Sequence, residues 1–207
     1  MQIGVLGRGT VGQTLARKLR KLGHDVRIGS RDAANEGADG TYADVAEFGE
    51  LVINATAGGG SLDALRLAGA DNLAGKVLID VSNSLDFSQG FPPTLSVCNT
   101  DSVAEQIQRE FSDARVVKAL NTMNADVMVE PSIVPGDHHA LIAGDDDGAK
   151  QQVRELLGTF GWPAERVMDL GGIDAARGME MYVLLWVRLF RAAGTAHVNI
   201  AVQRAGP

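Results

Sequence analysis

The chain has 207 residues, of which 45% are hydrophobic, 25 are glycine and one is cysteine, and its formal net charge is −7. A lone Cys98 excludes an intrachain disulfide framework and a multi-cysteine zinc site, and it suits a reducing cytoplasm. The acidic balance gives nucleic-acid binding no general electrostatic support, while the abundant glycine fits an α/β protein with many tight strand-to-helix turns.

In chain order, apolar Ile3, Val5 and Leu6 form a short strand that runs into Gly7-Arg8-Gly9-Thr10-Val11-Gly12. The helix that follows carries Val11, Leu15, Leu19 and Leu22 on one stripe, with Gly23 placed for a left-handed C-cap. A GxGxxG run between a strand and a helix is the signature of a dinucleotide-binding βαβ unit. Gly7 permits the tight turn, Gly9 lets backbone approach a pyrophosphate, and Gly12 lets the helix pack on the sheet. The free N–H groups and positive end of the helix then face the phosphates.

The second strand begins at Val26-Arg27-Ile28 and ends in Gly29-Ser30-Arg31. An acidic residue at its end would bond a ribose 2′-OH and would repel a 2′-phosphate. Ser30 can donate to such a phosphate, and the Arg31 guanidinium can pair with it as a fork, so NADP(H) is the expected dinucleotide. Asp32 comes too late to play the acidic part and reads as the cap of the next segment.

A short helix is expected over residues 43–48. Buried strands are expected over residues 51–55, 77–81, 115–120, 139–143 and 167–170. Helices lie behind Val103, Ile107 and Phe111 and behind Ala149, Val153, Leu157 and Phe160, and residues 85–100 read as a long ordered loop. The alternation gives a Rossmann-like, doubly wound, mainly parallel sheet over residues 1–170. Residues 171–207 form a C-terminal helical segment, packed on that domain or on a dimer partner. Its helix, residues 175–193, sets Arg177, Glu180, Arg188 and Arg191 on one narrow face and leaves a wide apolar arc. That arc suits core packing, a wall over the nicotinamide or a homodimer. It is too short and too charged to span a bilayer, so no membrane insertion is expected. A first strand starting at residue 2 leaves no leader in view, which again suits the cytoplasm.

Ligands of open α/β sheets bind beyond the carboxyl ends of the strands. Those tails carry Gly7 to Gly12, Ser30 and Arg31, Ala55, Thr56, Ala57 and Gly58, Ser82 and Asn83, and Asn121-Thr122-Met123-Asn124. They are small or neutral polar residues, suited to holding a flat ring and its carboxamide, and they offer no obvious acid or base. Asp145-Asp146-Asp147 precedes a helix and reads as a cap rather than a metal cluster. His138 and His139 read as turn residues, and Lys118 as a strand residue with its amine at the rim. No catalytic side chain and no metal site are expected.

With these motifs in view, the chain resembles the NADP-dependent oxidoreductases that use the deazaflavin coenzyme F-420, and its cofactor module is similar to the cytosolic domain of the STEAP metalloreductases. The likeness runs through GVLGRGTVG, VRIGSR, VVKALNTMNA, the Ala143-Gly144-Asp145-Asp146 turn and the closing apolar helix. It implies NADP contacts at Arg8, Gly9, Thr10 and Val11, at Ser30 and Arg31, at Ala55, Thr56 and Ala57, and along Asn121, Thr122, Met123 and Ala125. It also implies direct hydride transfer to a small redox co-substrate, a deazaflavin or flavin. The chain departs from the pattern at Ala57-Gly58-Gly59-Gly60 and at Asn121-Thr122-Met123-Asn124, which border the second ring, so the acceptor stays open. Imine or β-hydroxyacid reductases share the first unit but usually append a longer helical domain. A non-catalytic NADP(H) sensor is the other reading.

Overall fold

The computed structural model describes residues 1–205. In chain order its elements are β1 (Gln2–Leu6), α1 (Thr10–Lys21), β2 (Asp25–Ser30), β3 (Gly40–Thr41), α2 (Tyr42–Phe48), β4 (Leu51–Asn54), α3 (Ser61–Ala68), α4 (Ala70–Leu73) and β5 (Val77–Asp80). There follow β6 (Leu85–Asp86), β7 (Thr94–Leu95), α5 (Val103–Glu110), β8 (Arg115–Ala119), α6 (Ala125–Val129), β9 (Ala140–Ala143), α7 (Asp147–Phe160), β10 (Val167–Asp169) and α8 (Ala176–Ala193).

Eight strands form one sheet in the order β10-β9-β8-β5-β4-β1-β2-β3. Every pairing is parallel except β8 with β9. Central strands read as unbroken apolar runs because both faces are covered, as parallel sheets require. Alternate residues take opposite sides. Ile53, Ile79 and Val117 pack with Leu15 and Leu19 of α1 and Val153 and Phe160 of α7. Val52, Leu78 and Val116 pack with Val45, Leu65 and Ile107 of α2, α3 and α5. The chain leaves β1 toward β2 on one side and meets β4 on the other, so the direction of winding switches between β1 and β4. A crevice opens beyond their carboxyl ends.

The seven expected strands and the fold class are present. Gly23 takes the left-handed conformation (φ +86°), and the His24 amide reaches back to the Leu19 carbonyl (3.1 Å), closing α1. Residues 85–100 are more ordered than a loop: Leu85 pairs with Leu95 in the β6–β7 ladder, held by Ser84, whose hydroxyl donates to the Val97 carbonyl (2.8 Å). Helices α3, α4 and α6 add to the expected set.

Three expectations are corrected. Lys118 does not reach the rim; it is wholly buried. His138 and His139 are buried rather than turn residues, and His139 Nδ1 accepts the Val202 amide, so both brace the C-terminal segment. On α8, Glu180 turns inward to Lys118, while Leu185 and Leu189 of the apolar arc lie outside, as does Leu184. Met179 and Val183 are the residues of that arc that are buried, and Val187 is buried beside them. Among the described residues, no helix is long and apolar enough to cross a membrane.

Candidate functional site

The glycines divide their work by sterics. Gly7 has φ +113°, and a Cβ there would stand 2.6 Å from the Ala55 carbonyl oxygen. A Cβ on Gly12 would run into the Gly7 carbonyl. At Gly9 nothing lies within 4 Å, which leaves space for a ligand against bare backbone. Helix α1 starts at Gly9 with no side-chain cap and no acid in its first turn. Helices α2, α5, α6 and α7 are capped by Thr41, Ser102, Asn124 and Asp146. The uncapped amides of α1 suit an anion.

At the end of β2, Ser30 is buried, and its hydroxyl donates to the Asp32 carbonyl (2.5 Å) and accepts from Asn35 Nδ2 (3.0 Å). Its hydrogen is therefore spent inside the turn. Arg31 is exposed and makes no ion pair among the described residues. Asp32 accepts the Ala34 amide (2.9 Å), a local cap. Arg8 is also exposed, with only a long contact to the Glu36 carbonyl (3.4 Å).

A cavity of about 260 Å³ lies beyond β4 and β5, between Val11 and residues 55–58 on one side and Ser82, Asn83 and Phe87 on the other. None of its lining residues is titratable. Gly58 has no room for a Cβ, which would strike the Asn83 carbonyl, so the turns after β4 and β5 touch directly. A larger hollow, about 340 Å³, is built from segments leading into β9 and β10 and shares none of these tails.

Asn83 and Asn121 close the cavity's inner end. Asn83 Nδ2 donates to the Asn121 carbonyl (2.8 Å), and Asn121 Nδ2 donates to Asn83 Oδ1 (2.9 Å) and the Met179 carbonyl (3.1 Å). Leu120, just before, is held at φ +62°, a conformation that costs a bulky residue about 1–3 kcal/mol and re-aims the chain. In the turns after β5 and β8, three buried polar atoms have no partner among the described residues: Ser82 Oγ, of a residue that lines the cavity, and Asn121 Oδ1 and Thr122 Oγ1 behind it. Buried polar groups are nearly always paired, so this set fits a ligand that brings its own amide.

The sequence profile of the NADP oxidoreductase, coenzyme F420-dependent, family matches residues 2–84. A crystal structure from Arthrobacter sp. FB24, provisionally assigned as an F420-dependent NADP reductase, superposes with a TM-score of 0.93 at 49% identity, covering 99% of this chain and 100% of that one. The chain belongs to this family. The F420-dependent NADP reductase of Methanothermobacter marburgensis is 29% identical over 97% of this chain and 99% of its own length. Metalloreductase STEAP3 of Rattus norvegicus is 29% identical over 86% of this chain, which spans only 36% of that protein. Reductive aminases and imine reductases share the fold at 14–20% identity, and the match covers 62–63% of those chains.

As a member of the family the protein is an NADP-dependent oxidoreductase. Of the residues singled out in its sequence, Val11, Ala55, Thr56, Ala57 and Asn83 line the cavity, and Asn121 backs it through Asn83. Gly7, Gly9, Thr10 and Gly12 shape the helix start beside it, while Arg8 and Arg31 stand free at the surface. Thr122 is buried with its hydroxyl unpaired. Met123 and Ala125 are buried, Met123 in the main core, and neither lines the cavity. Sequence reading placed Gly58 among the strand tails but did not single out Phe87, which also faces the cavity, nor the role of the Ser82 hydroxyl. It also missed the charged group behind the wall, Asp80, Lys118 and Glu180. The available signal was a Lys and an Asp at the ends of otherwise apolar strands, since charges in such places require partners.

Proposed function

We propose that this protein transfers a hydride directly between NADP(H) and a second planar redox ring, a deazaflavin such as coenzyme F-420 or a flavin. The observation that carries this reading is the cavity wall: no titratable side chain lines it, and its polar side chains are the neutral Thr56, Ser82 and Asn83. Such a wall positions rather than protonates, and direct hydride transfer draws its rate from alignment. The bound dinucleotide would supply the hydride from its nicotinamide ring.

The chain's residues divide the holding. The free amides of Thr10 and Val11 meet the pyrophosphate across Gly9, and Arg31, assisted by Arg8, pairs with the 2′-phosphate. Ser82 Oγ, Asn121 Oδ1 and Thr122 Oγ1 take the carboxamide. Phe87, 56% exposed at the cavity mouth, offers an aromatic face to the second ring. A cytoplasmic setting and a homodimer through the exposed leucines of α8 belong to the same proposal; a monomeric mass at micromolar concentration removes the dimer.

The test is steady-state NADPH oxidation against deazaflavin, flavin, ferric and quinone acceptors. Turnover with a ring acceptor is expected, and tight NADPH binding without turnover on any of them replaces the enzyme with a sensor. Arg31→Ala should weaken NADPH about tenfold to a hundredfold, the scale of a lost charge-assisted pair, while leaving NADH nearly alone. Equal losses for both dinucleotides would remove Arg31 from the 2′-phosphate.

A further inference from the structure

The buried charges behind the cavity wall take no part in the transfer proposed above, yet their bonds reach both of its sides. Lys118 Nζ donates to Asp80 Oδ2 (2.8 Å), to Glu180 Oε1 (2.8 Å) and to the Ser82 carbonyl (2.5 Å), which uses all three of its hydrogens. All three ionised side chains are essentially inaccessible to water. Asp80 Oδ1 accepts from Asn54 Nδ2 (2.8 Å) and from the Ser82 amide (3.2 Å). Asn54 Oδ1 in turn accepts from the Thr56 hydroxyl (2.6 Å) and amide (3.3 Å).

The turn after β4 and the turn after β5 therefore end on one ammonium. These are the two sides of the 260 Å³ cavity. Glu180 extends the same group to a third element: its carboxylate also accepts the Val103 and Ala104 amides (3.0 and 3.2 Å) at the start of α5. Two carboxylates against one ammonium leave a negative excess, which those helix N-terminal amides offset. Burial disfavours the Lys118 ammonium, but the Asp80 and Glu180 carboxylates outweigh that and hold its pKa above the ordinary lysine value. For stability alone, well-packed apolar side chains of similar volume usually do as well as a buried ion group. The group's connections point to a different use.

We propose that Lys118 is a positioning residue for the nicotinamide end of the site, fixing the separation of the two cavity walls through Ser82 on one side and through Asp80, Asn54 and Thr56 on the other. The proposal rests on the NADP(H) reading of the cavity. Lys118 touches no part of the dinucleotide, so its effect falls only on the portion seated between those walls. The phosphate and adenine portions lie on Gly9 and Arg31, which the network does not reach.

The experiment compares two ligands by isothermal titration calorimetry: NADPH, and 2′-phospho-ADP-ribose, which is the same dinucleotide without its nicotinamide. Lys118→Met is expected to weaken NADPH about tenfold and to leave 2′-phospho-ADP-ribose within about twofold. Turnover of bound NADPH should fall by about a hundredfold, the scale of an ångström misplacement of a reacting ring. Equal weakening of both ligands, or no change in either, overturns the proposal. Should Lys118→Met fail to fold, Glu180→Gln keeps the volume and leaves the Lys118–Asp80 pair in place; it should show the same split at a smaller size, and the same two results would overturn it. A wild-type protein that binds NADPH yet reduces no acceptor counts against the redox reading alone, because the two-ligand comparison needs only binding.

Discussion

A methyl group added at Gly9 and one added at Gly12 would meet opposite fates. At Gly9 the backbone is extended (φ −69°, ψ −179°) and nothing stands within 4 Å, so alanine fits the free protein without strain. The methyl occupies the space a pyrophosphate needs. Gly9→Ala should therefore keep the wild-type melting temperature and lose NADPH binding, seen by thermal denaturation with and without ligand. At Gly12 the methyl collides with the Gly7 carbonyl, so Gly12→Ala should cost about 1–3 kcal/mol of stability before any ligand is added. A lowered melting temperature for Gly9→Ala would show that the loop, not the ligand, requires that glycine. The glycines are legible in the sequence because their constraint is local steric geometry within six residues. Ser30 is harder to read: its hydroxyl is a plausible phosphate donor by type, but a turn two residues long already uses its hydrogen. Lys118 is harder still, since its partners lie 38 and 62 residues away and no local pattern announces them.

Among elements, the central strands were readable because three consecutive apolar residues, Leu51 to Ile53 in β4 and Val77 to Ile79 in β5, buried on both faces leave a continuous run. The two-residue strands β3, β6 and β7 and the four- and five-residue helices α4 and α6 carry too few residues for any period to show. The start of α5 is the element end on which most charge converges. Asp101 takes a two-point bond from Arg109 (2.8 and 2.9 Å), Ser102 caps Glu105, and Glu105 accepts two bonds from Arg177 of α8. The Arg109 guanidinium, more than any other neighbour, holds the Asp101 carboxyl down to about 2. A depressed carboxylate contributes stability above its unfolded value of 3.8, and that contribution is lost as pH falls through about 2. Melting temperatures of wild type and Asp101→Asn should therefore differ at pH 6 and converge between pH 4 and 2. The difference at pH 6 should be small, about 0.2–1 kcal/mol, because Arg109 remains largely exposed. Parallel pH curves would assign the acid limb to another group.

At the scale of the molecule, the question is whether α8 is an appendage or part of one cooperative unit. It leaves Leu184, Leu185 and Leu189 to solvent, as a loosely attached helix would. Its inner side argues otherwise. Met179 packs on Leu141 and Ala143 of the sheet, its carbonyl accepts from Asn121, and Glu180 closes the buried ion group with Lys118. Detaching α8 would leave Lys118 and Asp80 exposed to water on one side and Asn121 short of a partner, a cost of about 3–5 kcal/mol for the ion group alone. That is a large share of the stability of a domain this size. The chain's two tryptophans allow a direct reading: Trp162 is buried near the C-terminal end of α7, and Trp186 lies on α8. In a Trp162→Phe variant, Trp186 fluorescence reports α8 alone, while far-UV circular dichroism reports the whole fold. The two should melt together in urea, with one midpoint and one slope, if α8 is keyed to the sheet through Glu180. In the Glu180→Gln background the fluorescence transition should move to lower urea ahead of the dichroism. Coincidence of both signals in that background would mean that apolar packing of Met179 and Val183, not the buried charge, holds the helix.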